Sequence, residues 1–297
     1  MERTCVPIPS SDINAIMHLE IYAPENKNNL KGLIQLCHGM TEYMGRYADF
    51  AQYFTSRGYI VFGNDIISYG RSITTKSSCL YLNNWNDTIK DMITAREYVS
   101  NQYPELPIYL LGFSLGSFIV RTNADLSPYK KGILVGTRNQ SAILMKAMRK
   151  MISKKYAKRM FSASNEIYDL LFGTYEKKFK GKPEKYWLLT DDAKRAEYTK
   201  DKFVCQDLSP AFFCEFTKGM EYASRQMRHP NNIIPTLFLY GKEDPVSGFG
   251  KSIQKVYKSY KRNNPDTEMK AFPGTHDILH DSGCEALFKE IEDFIKK

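Results

Sequence analysis

Residues 109–116 read YLLGFSLG and carry the strongest structural signal in the chain. The apolar run Tyr109–Leu111 predicts a short buried strand, and residues 115–124 have the apolar pattern of a helix. Between them, the GFSLG segment matches the GxSxG pattern, in which a serine occupies a strained turn between a strand and a helix. The flanking glycines leave room for close backbone approach where a side chain would collide. We therefore predict that Ser114 stands exposed above a sheet.

Strand and helix patterns alternate on both sides of this turn. The expected strands cover residues 16–22, 32–37, 59–63, 107–111, 132–136, 235–240 and 269–272, and the expected helices cover residues 47–57, 85–98, 115–124, 249–262 and a closing segment from residue 285. Such alternation predicts an α/β fold, with a mostly parallel central sheet and helices on both faces.

One long interval interrupts this alternation. Between Thr137 and about His229 the sequence lacks strand patterns and indicates several helices rich in Met, aromatic and basic residues. We interpret residues 137–229 as a helical cap, or lid, inserted into a core domain formed by residues 1–136 and 230–297.

The composition excludes several classes of protein. With 297 residues, 42% hydrophobic and 25% charged, the chain is typical of a globular protein with a large core. The first ten residues hold no apolar run that could form a signal-peptide core, and no later stretch approaches the length of a membrane span, so we expect a cytoplasmic location. The six cysteines form no CxxC pair and no zinc-type cluster with histidine, and we predict no metal and no organic cofactor.

A serine nucleophile needs a base and an acid that orients the base. The chain has five histidines, namely His18, His38, His229, His276 and His280. His276 follows the last predicted strand and is the best candidate base, with His280 as the second. Asp244 follows the strand that ends at Tyr240 and is the candidate acid, with Glu243 as the adjacent rival. The order Ser, acid, His along the chain is the order expected for a GxSxG turn on such a sheet.

Two backbone amides are candidates for an oxyanion hole. The N–H of Leu115 lies at the start of a predicted helix, where the helix dipole favours negative charge. The N–H of Met40 follows His38-Gly39, directly after the strand at residues 32–37. The alternative for His38-Gly39-Met40 is an ordinary glycine turn.

Several segments together resemble the monoacylglycerol lipase and lysophospholipase group of α/β-hydrolases, in particular its bacterial members. They are HGMTEYMGRY at residues 38–47, Asp65 before SYGRS, the turn at Ser114, DPVSGFG at residues 244–250 and GTHDILHD at residues 274–281. The resemblance covers the chain from about Met17 onward and implies the α/β-hydrolase fold. It selects His276 over His280. One departure is Phe113, which stands where the family usually has histidine.

The resemblance implies a serine hydrolase that cleaves acyl esters of the monoacylglycerol or lysophospholipid type through an acyl-enzyme. Thioesterase and aminopeptidase activity share the same triad and stay open as alternatives. A non-catalytic lipid-binding protein with this fold is the alternative from another class.

The predicted cap contains candidate substrate-binding residues and a candidate lipid surface. Residues 144–161 place Met and other apolar residues among Lys and Arg at helical spacing, which indicates a basic amphipathic helix. The candidates for an acyl pocket are Met145, Met148, Phe172, Trp187 and Phe213. Such a helix can pack on the core with a solvated charged face, or it can serve as a lid. The net charge of +9 can attract the protein to anionic lipid in a peripheral contact, whereas no motif supports nucleic-acid binding.

Overall fold

The central sheet has the strand order β1-β2-β4-β3-β6-β7-β8-β9, with β5 beside β2. A computed structural model describes residues 1–74, 80–227 and 233–297. The strands are β1 (Glu2–Pro9), β2 (Ala15–Ala23), β3 (Gly32–Cys37), β4 (Tyr59–Asn64), β5 (Ile73–Thr74), β6 (Ile108–Phe113), β7 (Tyr129–Val135), β8 (Thr236–Gly241) and β9 (Glu268–Phe272). From β4 to β9 in this order, each strand is parallel to its neighbour. In contrast, β2 is antiparallel to both of its neighbours in this order, β1 and β4. The predicted α/β-hydrolase fold is confirmed.

Helices lie between most of the strands, as the alternating pattern predicts. They are α1 (Ala48–Thr55), α2 (Trp85–Ser100), α3 (Leu115–Thr122), α4 (Ala142–Lys155), α5 (Asn165–Tyr168), α6 (Thr174–Lys178), α7 (Asp192–Lys200), α8 (Pro210–Gln226), α9 (Lys251–Asn263) and α10 (Cys284–Lys296). Within the described ranges, no helix is long and apolar enough to cross a membrane.

Both faces of the sheet are covered, and the side-chain alternation of the strands shows why. Along β3, Leu33 packs into the apolar cluster on one face, while Ile34 and Leu36 pack into the cluster on the other. Along β6, Leu110 and Leu111 divide in the same way. Because successive strand residues point to opposite faces, a strand that is buried on both sides is mostly apolar, as these runs are in the sequence. The exception in β3 is Gln35, whose buried side chain is hydrogen-bonded to the Met92 carbonyl and the Tyr129 hydroxyl.

The edge strand β1 is absent from the prediction. Its sequence, ERTCVPIP, contains Pro7 and Pro9, and proline argues against an interior strand because it donates no hydrogen bond. Here the strand lies at the edge of the sheet and pairs only with β2 among the strands of the described residues. An edge position tolerates proline, since one side of the strand needs no partner.

The chain between β7 and β8 forms helices α4 to α8 in the part that the structure describes. The last of them, α8, packs against α3 and α2 of the sheet layers. The predicted domain boundary between residues 229 and 230, together with His229, lies outside the described residues. The division into a core domain and a cap at residues 137–229 therefore stays a prediction.

The contact between α8 and α2 depends on a glycine. A Cβ atom on Gly219 would lie 2.2 Å from the Trp85 ring, which is fully buried and whose indole N–H donates to Thr122 at 2.9 Å. Alanine in a helix normally gains about 1 kcal/mol over glycine, but overpacking of this kind costs about 1–3 kcal/mol. We expect Gly219→Ala to lower the free energy of unfolding in urea titrations.

Gly173→Ala is the matched control. Gly173 has helical angles of φ −59° and ψ −27°, and the nearest atom to an added Cβ is 3.7 Å away. This variant should be as stable as the natural protein or gain up to about 1 kcal/mol. Equal stability of the two variants would contradict the packing argument.

Candidate active site

Ser114 occupies a strained turn between β6 and α3. Its φ of 49° is a left-handed value that residues with a side chain rarely adopt. The neighbouring chain leaves no room for side chains on the flanking glycines: a Cβ on Gly116 would lie 2.0 Å from the carbonyl oxygen of Cys37, and a Cβ on Gly112 would lie 2.7 Å from that of Gly116. The Ser114 N–H donates to the carbonyl of Val135 at 2.9 Å, which fixes the turn against β7.

Ser114, His276 and Asp244 form a continuous hydrogen-bonded line. The distance from Ser114 Oγ to His276 Nε2 is 2.8 Å, and the distance from His276 Nδ1 to Asp244 Oδ1 is 3.1 Å. The imidazole is 3% exposed and Asp244 is fully buried. Asp244 also accepts the backbone N–H of Val246 at 2.7 Å. Three residues remote in sequence therefore meet at the carboxyl ends of β6, β8 and β9.

The alternative acid, Glu243, and the alternative base, His280, do not belong to this hydrogen-bonded line. Glu243 is exposed to solvent, whereas its neighbour Asp244 faces the imidazole. His280 Nδ1 lies 2.8 Å from Asp277 Oδ1, and its ring packs edge-on against Tyr47. The geometry thus favours Asp244 and His276 over these alternatives.

The two predicted oxyanion donors belong to segments that touch each other. The close approach of Gly116 to Cys37 sets the first turn of α3 against the loop after β3. The N–H of Gly39 donates to the carboxylate of Glu42, which shapes this loop. Among the described residues, neither the Met40 N–H nor the Leu115 N–H donates to an acceptor. These two amides are available to a ligand, and their role as an oxyanion hole stays a prediction.

A mostly apolar cavity of about 310 Å³ opens beside Ser114 and His276. All five residues predicted to bind substrate line it: Met145, Met148, Phe172, Trp187 and Phe213. Met145 and Phe213 are buried, so they belong both to the packed interior and to the cavity wall. Packing and pocket lining are therefore not exclusive at these positions.

Two aromatic rings flank the imidazole of His276. The Phe113 ring lies 5.1 Å from it at an angle of 35°, and the Trp187 ring lies 5.9 Å from it at 29°. Phe172 stacks on the outer part of Trp187 at 5.4 Å. Trp187 was predicted as a pocket residue only, and its position over the imidazole follows from tertiary contacts that spacing along the chain does not reveal.

A buried charge network lies beside this line and was not predicted from residue chemistry. Arg46 is 2.5 Å from Glu42 and 3.4 Å from Asp277, which directly follows His276. Burial alone would lower the pKa of Arg46, but the carboxylates of Asp277 and Glu42 raise it above its usual value. Burial would likewise raise the pKa of Asp277, yet His280 and Arg46 lower it to about 2. The signal in the sequence was the spacing of Glu42 and Arg46 in HGMTEYMGRY.

Two groups of side chains have the spacing of metal ligands within the described ranges. In the first, which consists of Glu42, Asp277 and His280, both carboxylates already pair with the guanidinium of Arg46. The second group, Cys5, His18 and Glu20, is flanked by cations. Arg3 lies 2.6 Å and Arg71 lies 3.8 Å from Glu20. Because arginine already compensates the carboxylates of both groups, neither arrangement favours a metal ion.

Comparisons with known proteins agree with this architecture. The Monkeypox virus monoglyceride lipase homolog is 26% identical over 274 residues, which cover 89% of each chain. The monoglyceride lipase of Mus musculus is 23% identical over 257 residues, which cover 84% of this chain and 76% of the relative. A thermostable carboxyl esterase from Bacillus coagulans, solved with glycerol, superposes with a TM-score of 0.88 at 22% identity over 100% of this chain and 98% of its own.

Fold, site and relatives together define a serine hydrolase of the α/β-hydrolase class. A model of one family within this class matches residues 28–283. The chain belongs to that family, which is described as serine aminopeptidase, S33. The resemblance to monoacylglycerol lipases inferred from the sequence is confirmed by the monoglyceride lipase relatives.

Removal of Arg46 should destabilise the protein strongly. Arg46→Met leaves two buried carboxylates, Glu42 and Asp277, without their cation, and breaking a buried pair in this way costs about 3–5 kcal/mol. Because Asp277 is ionised above a pKa of about 2, the deficit should be largest near neutral pH and should shrink as the pH falls from about 4 toward 2. Urea unfolding at several pH values measures both effects.

Arg57→Met provides the control for that prediction. Arg57 is 3.2 Å from Glu292, but its side chain is 38% exposed, and exposed pairs are worth about 0–1 kcal/mol. If both arginine variants lost the same small amount of stability, the network around Arg46 would not have the importance assigned to it.

Proposed function

We propose that this serine hydrolase cleaves carboxylic esters with Ser114 as nucleophile, His276 as base and Asp244 as the acid that orients the base. The observation that carries the proposal is the line from Ser114 Oγ through both nitrogens of His276 to Asp244, with distances of 2.8 Å and 3.1 Å. Serine is a weak nucleophile unless a base accepts its proton, and the carboxylate holds the imidazole in the tautomer that can do so.

The reaction proceeds in two halves. Ser114 Oγ attacks the ester carbonyl while its proton passes to His276 Nε2, and the resulting oxyanion accepts hydrogen bonds from the N–H groups of Met40 and Leu115. His276 then returns the proton to the departing alcohol, which leaves an acyl group on Ser114. Water loses a proton to His276 and attacks the acyl carbon. As the bond from that carbon to Ser114 Oγ breaks, His276 returns the proton to Ser114 Oγ and the carboxylic acid leaves. No metal or organic cofactor takes part in these steps.

The substrates that best suit the cavity are single-chain acyl esters such as monoacylglycerols or lysophospholipids. Its volume of about 310 Å³ and its apolar wall of Met, Phe and Trp residues match a flexible acyl chain, to which methionine side chains adapt readily. The names of the viral and mouse relatives, monoglyceride lipase homolog and monoglyceride lipase, support the same substrate class.

The description of the family, serine aminopeptidase, makes aminopeptidase activity the second candidate function. An aminopeptidase must bind the α-ammonium group of its substrate, and a free carboxylate in the cavity would serve that purpose. The carboxylates on the cavity wall are Glu42 and Asp277, and both already pair with Arg46. Glu42 also accepts hydrogen bonds from Gly39 and Tyr47. Ester cleavage is therefore the better-supported activity.

Ser114→Ala should abolish hydrolysis of p-nitrophenyl esters, with a loss of at least about 10³-fold in kcat. The variant should also lose covalent labelling by a fluorophosphonate probe, because that probe reacts with the activated hydroxyl. Ser127→Ala, at an exposed position outside the cavity, is the control and should keep both. Turnover by Ser114→Ala at the natural rate would overturn the assignment, and a protein that neither hydrolyses nor labels would be a lipid-binding relative without activity.

A substrate panel separates the remaining reaction types. Monoacylglycerols and lysophospholipids of increasing chain length, acyl thioesters and aminoacyl amides should be compared by kcat/KM. The proposal expects the long-chain oxygen esters to be the best substrates and the aminoacyl amides the poorest. Higher kcat/KM for the amides would favour the aminopeptidase alternative.

We also propose that helix α4 contacts anionic lipid. The predicted apolar face at residues 144–161 is only partly correct, because the helix ends at Lys155 and buries only Met145 and Ile152. Leu144 and Met151 project about 100° away from that buried side and are each 53% exposed, beside Ile143 at 82%. Lysines border this outer apolar stripe at positions 146, 150 and 154. An apolar stripe edged by lysine is typical of helices that lie at a membrane surface.

Replacement of Lys146, Lys150 and Lys154 together by Gln should weaken binding to phosphatidylserine vesicles about 100-fold, since each lysine near an anionic surface contributes about 1 kcal/mol. Sedimentation with vesicles at low ionic strength measures this. The control replaces Lys251, Lys255 and Lys258 of α9 by Gln, which changes the net charge equally on another exposed helix. An equal loss in both triple variants would mean that net charge alone drives binding.

A further inference from the structure

We propose that Asp281 is a positioning residue for His276 and that it acts through residues 186–191, here called the clamp segment. The inference rests on the proposed function in one respect, the assignment of His276 as the base. The clamp segment lies in the helical insertion between β7 and β8, whereas Asp281 follows the base in the loop after β9. The contacts join these two parts of the chain beside the cavity.

Asp281 anchors the far end of the clamp segment. Its Oδ2 accepts the backbone N–H of Thr190 at 2.8 Å and the Thr190 hydroxyl at 2.5 Å. Its Oδ1 accepts the backbone N–H groups of Asp191 at 2.9 Å and of Ser282 at 3.1 Å. The residue is only 4% exposed. One buried carboxylate thus receives four hydrogen bonds, three of them from the clamp segment.

The near end of the clamp segment forms hydrogen bonds with residues 275–277, here called the base loop. The carbonyl of Trp187 accepts the backbone N–H of His276 at 3.1 Å, and the carbonyl of Leu188 accepts that of Asp277 at 2.8 Å. The carbonyl of Tyr186 accepts the Thr275 hydroxyl at 3.1 Å. Three consecutive clamp carbonyls therefore hold three consecutive residues of the base loop, and Asp281 holds the clamp from the other side.

The same arrangement places the Trp187 ring over the imidazole. The indole N–H donates to Glu176 at 2.8 Å, which fixes the ring plane, and the ring stacks on His276 at 5.9 Å. If Asp281 lost its hydrogen bonds, the clamp segment could shift, and both the backbone and the ring of the base would lose support. A displacement of a reacting group by about 1 Å can cost about 100-fold in rate, so a residue that never meets the substrate can matter for turnover.

The first readout is turnover. Asp281→Ala should lower kcat for a short p-nitrophenyl ester about 10- to 100-fold, because the base is displaced. KM should change less than kcat, since Met145, Met148 and Phe213 on the cavity wall do not belong to the clamp segment. Asp293→Ala is the matched control: Asp293 is an exposed aspartate whose side chain pairs with Lys289 of the same helix. It should keep the natural kcat.

The second readout reports the position of the base without any substrate. A protonated imidazole quenches the fluorescence of an indole that it contacts, so the emission of Trp187 should be lower in acidic buffer than in mildly alkaline buffer. His276→Asn should remove this quenching and so identify its source. Trp187→Phe gives the emission of Trp85 alone, which lies in the core beside Phe216. Asp281→Ala should reduce the quenching amplitude, and Asp293→Ala should leave it unchanged.

Natural kcat and natural quenching in a folded Asp281→Ala protein would overturn the proposal. Should that variant fail to fold, Thr190→Val removes only the hydroxyl hydrogen bond and should show a smaller loss in both readouts, while no loss in either would count against the clamp. Failure of the proposed function is distinguishable: turnover by Ser114→Ala would reject the nucleophile, whereas the fluorescence test depends only on the contact between Trp187 and His276.

Discussion

The site depends on how closely the first turn of α3 approaches the end of β3. The space where a Cβ atom of Gly116 would lie is occupied by the carbonyl of Cys37 at 2.0 Å. At this approach the backbone of Ser114 has a left-handed conformation, and its hydroxyl lies 2.8 Å from His276 Nε2. It also brings the amide at the start of α3 to the loop that carries Met40. One steric constraint therefore sets the positions of the hydroxyl and of both candidate donors of the oxyanion hole.

Most of the fold could be predicted because its signals are local. Buried parallel strands are mostly apolar on both faces, so runs such as Ile60–Phe62 can be identified without knowledge of their neighbours. The candidate site could also be predicted from the sequence, because Ser114, Asp244 and His276 each follow a strand and the carboxyl ends of parallel strands share one edge. Strand β1 was not predicted, because its two prolines disfavour a strand within a sheet. They are tolerated only because β1 lies at the edge.

The contacts around the base could not be predicted, since they join segments that no periodicity relates. The stacking of Trp187 on His276 and the three hydrogen bonds from Thr190 and Asp191 to Asp281 connect residues about ninety positions apart. The sequence around Trp187 does not indicate whether its ring contacts an acyl chain in a pocket or the imidazole of a histidine. Likewise, the four-residue spacing of Glu42 and Arg46 indicates that the two side chains can pair, but nothing in that spacing identifies Asp277 as the third partner.

The pairing of the base loop with the carbonyls of residues 186–188 has a consequence for how the protein matures during synthesis. The serine turn, β7 and the helical insertion all precede residue 276, so they leave the ribosome before the imidazole does. The contact of 2.8 Å between Ser114 Oγ and His276 Nε2 can therefore form only after the last strand and its loop have been synthesised. A nascent or truncated chain that lacks this final segment lacks the imidazole that is hydrogen-bonded to Ser114 Oγ.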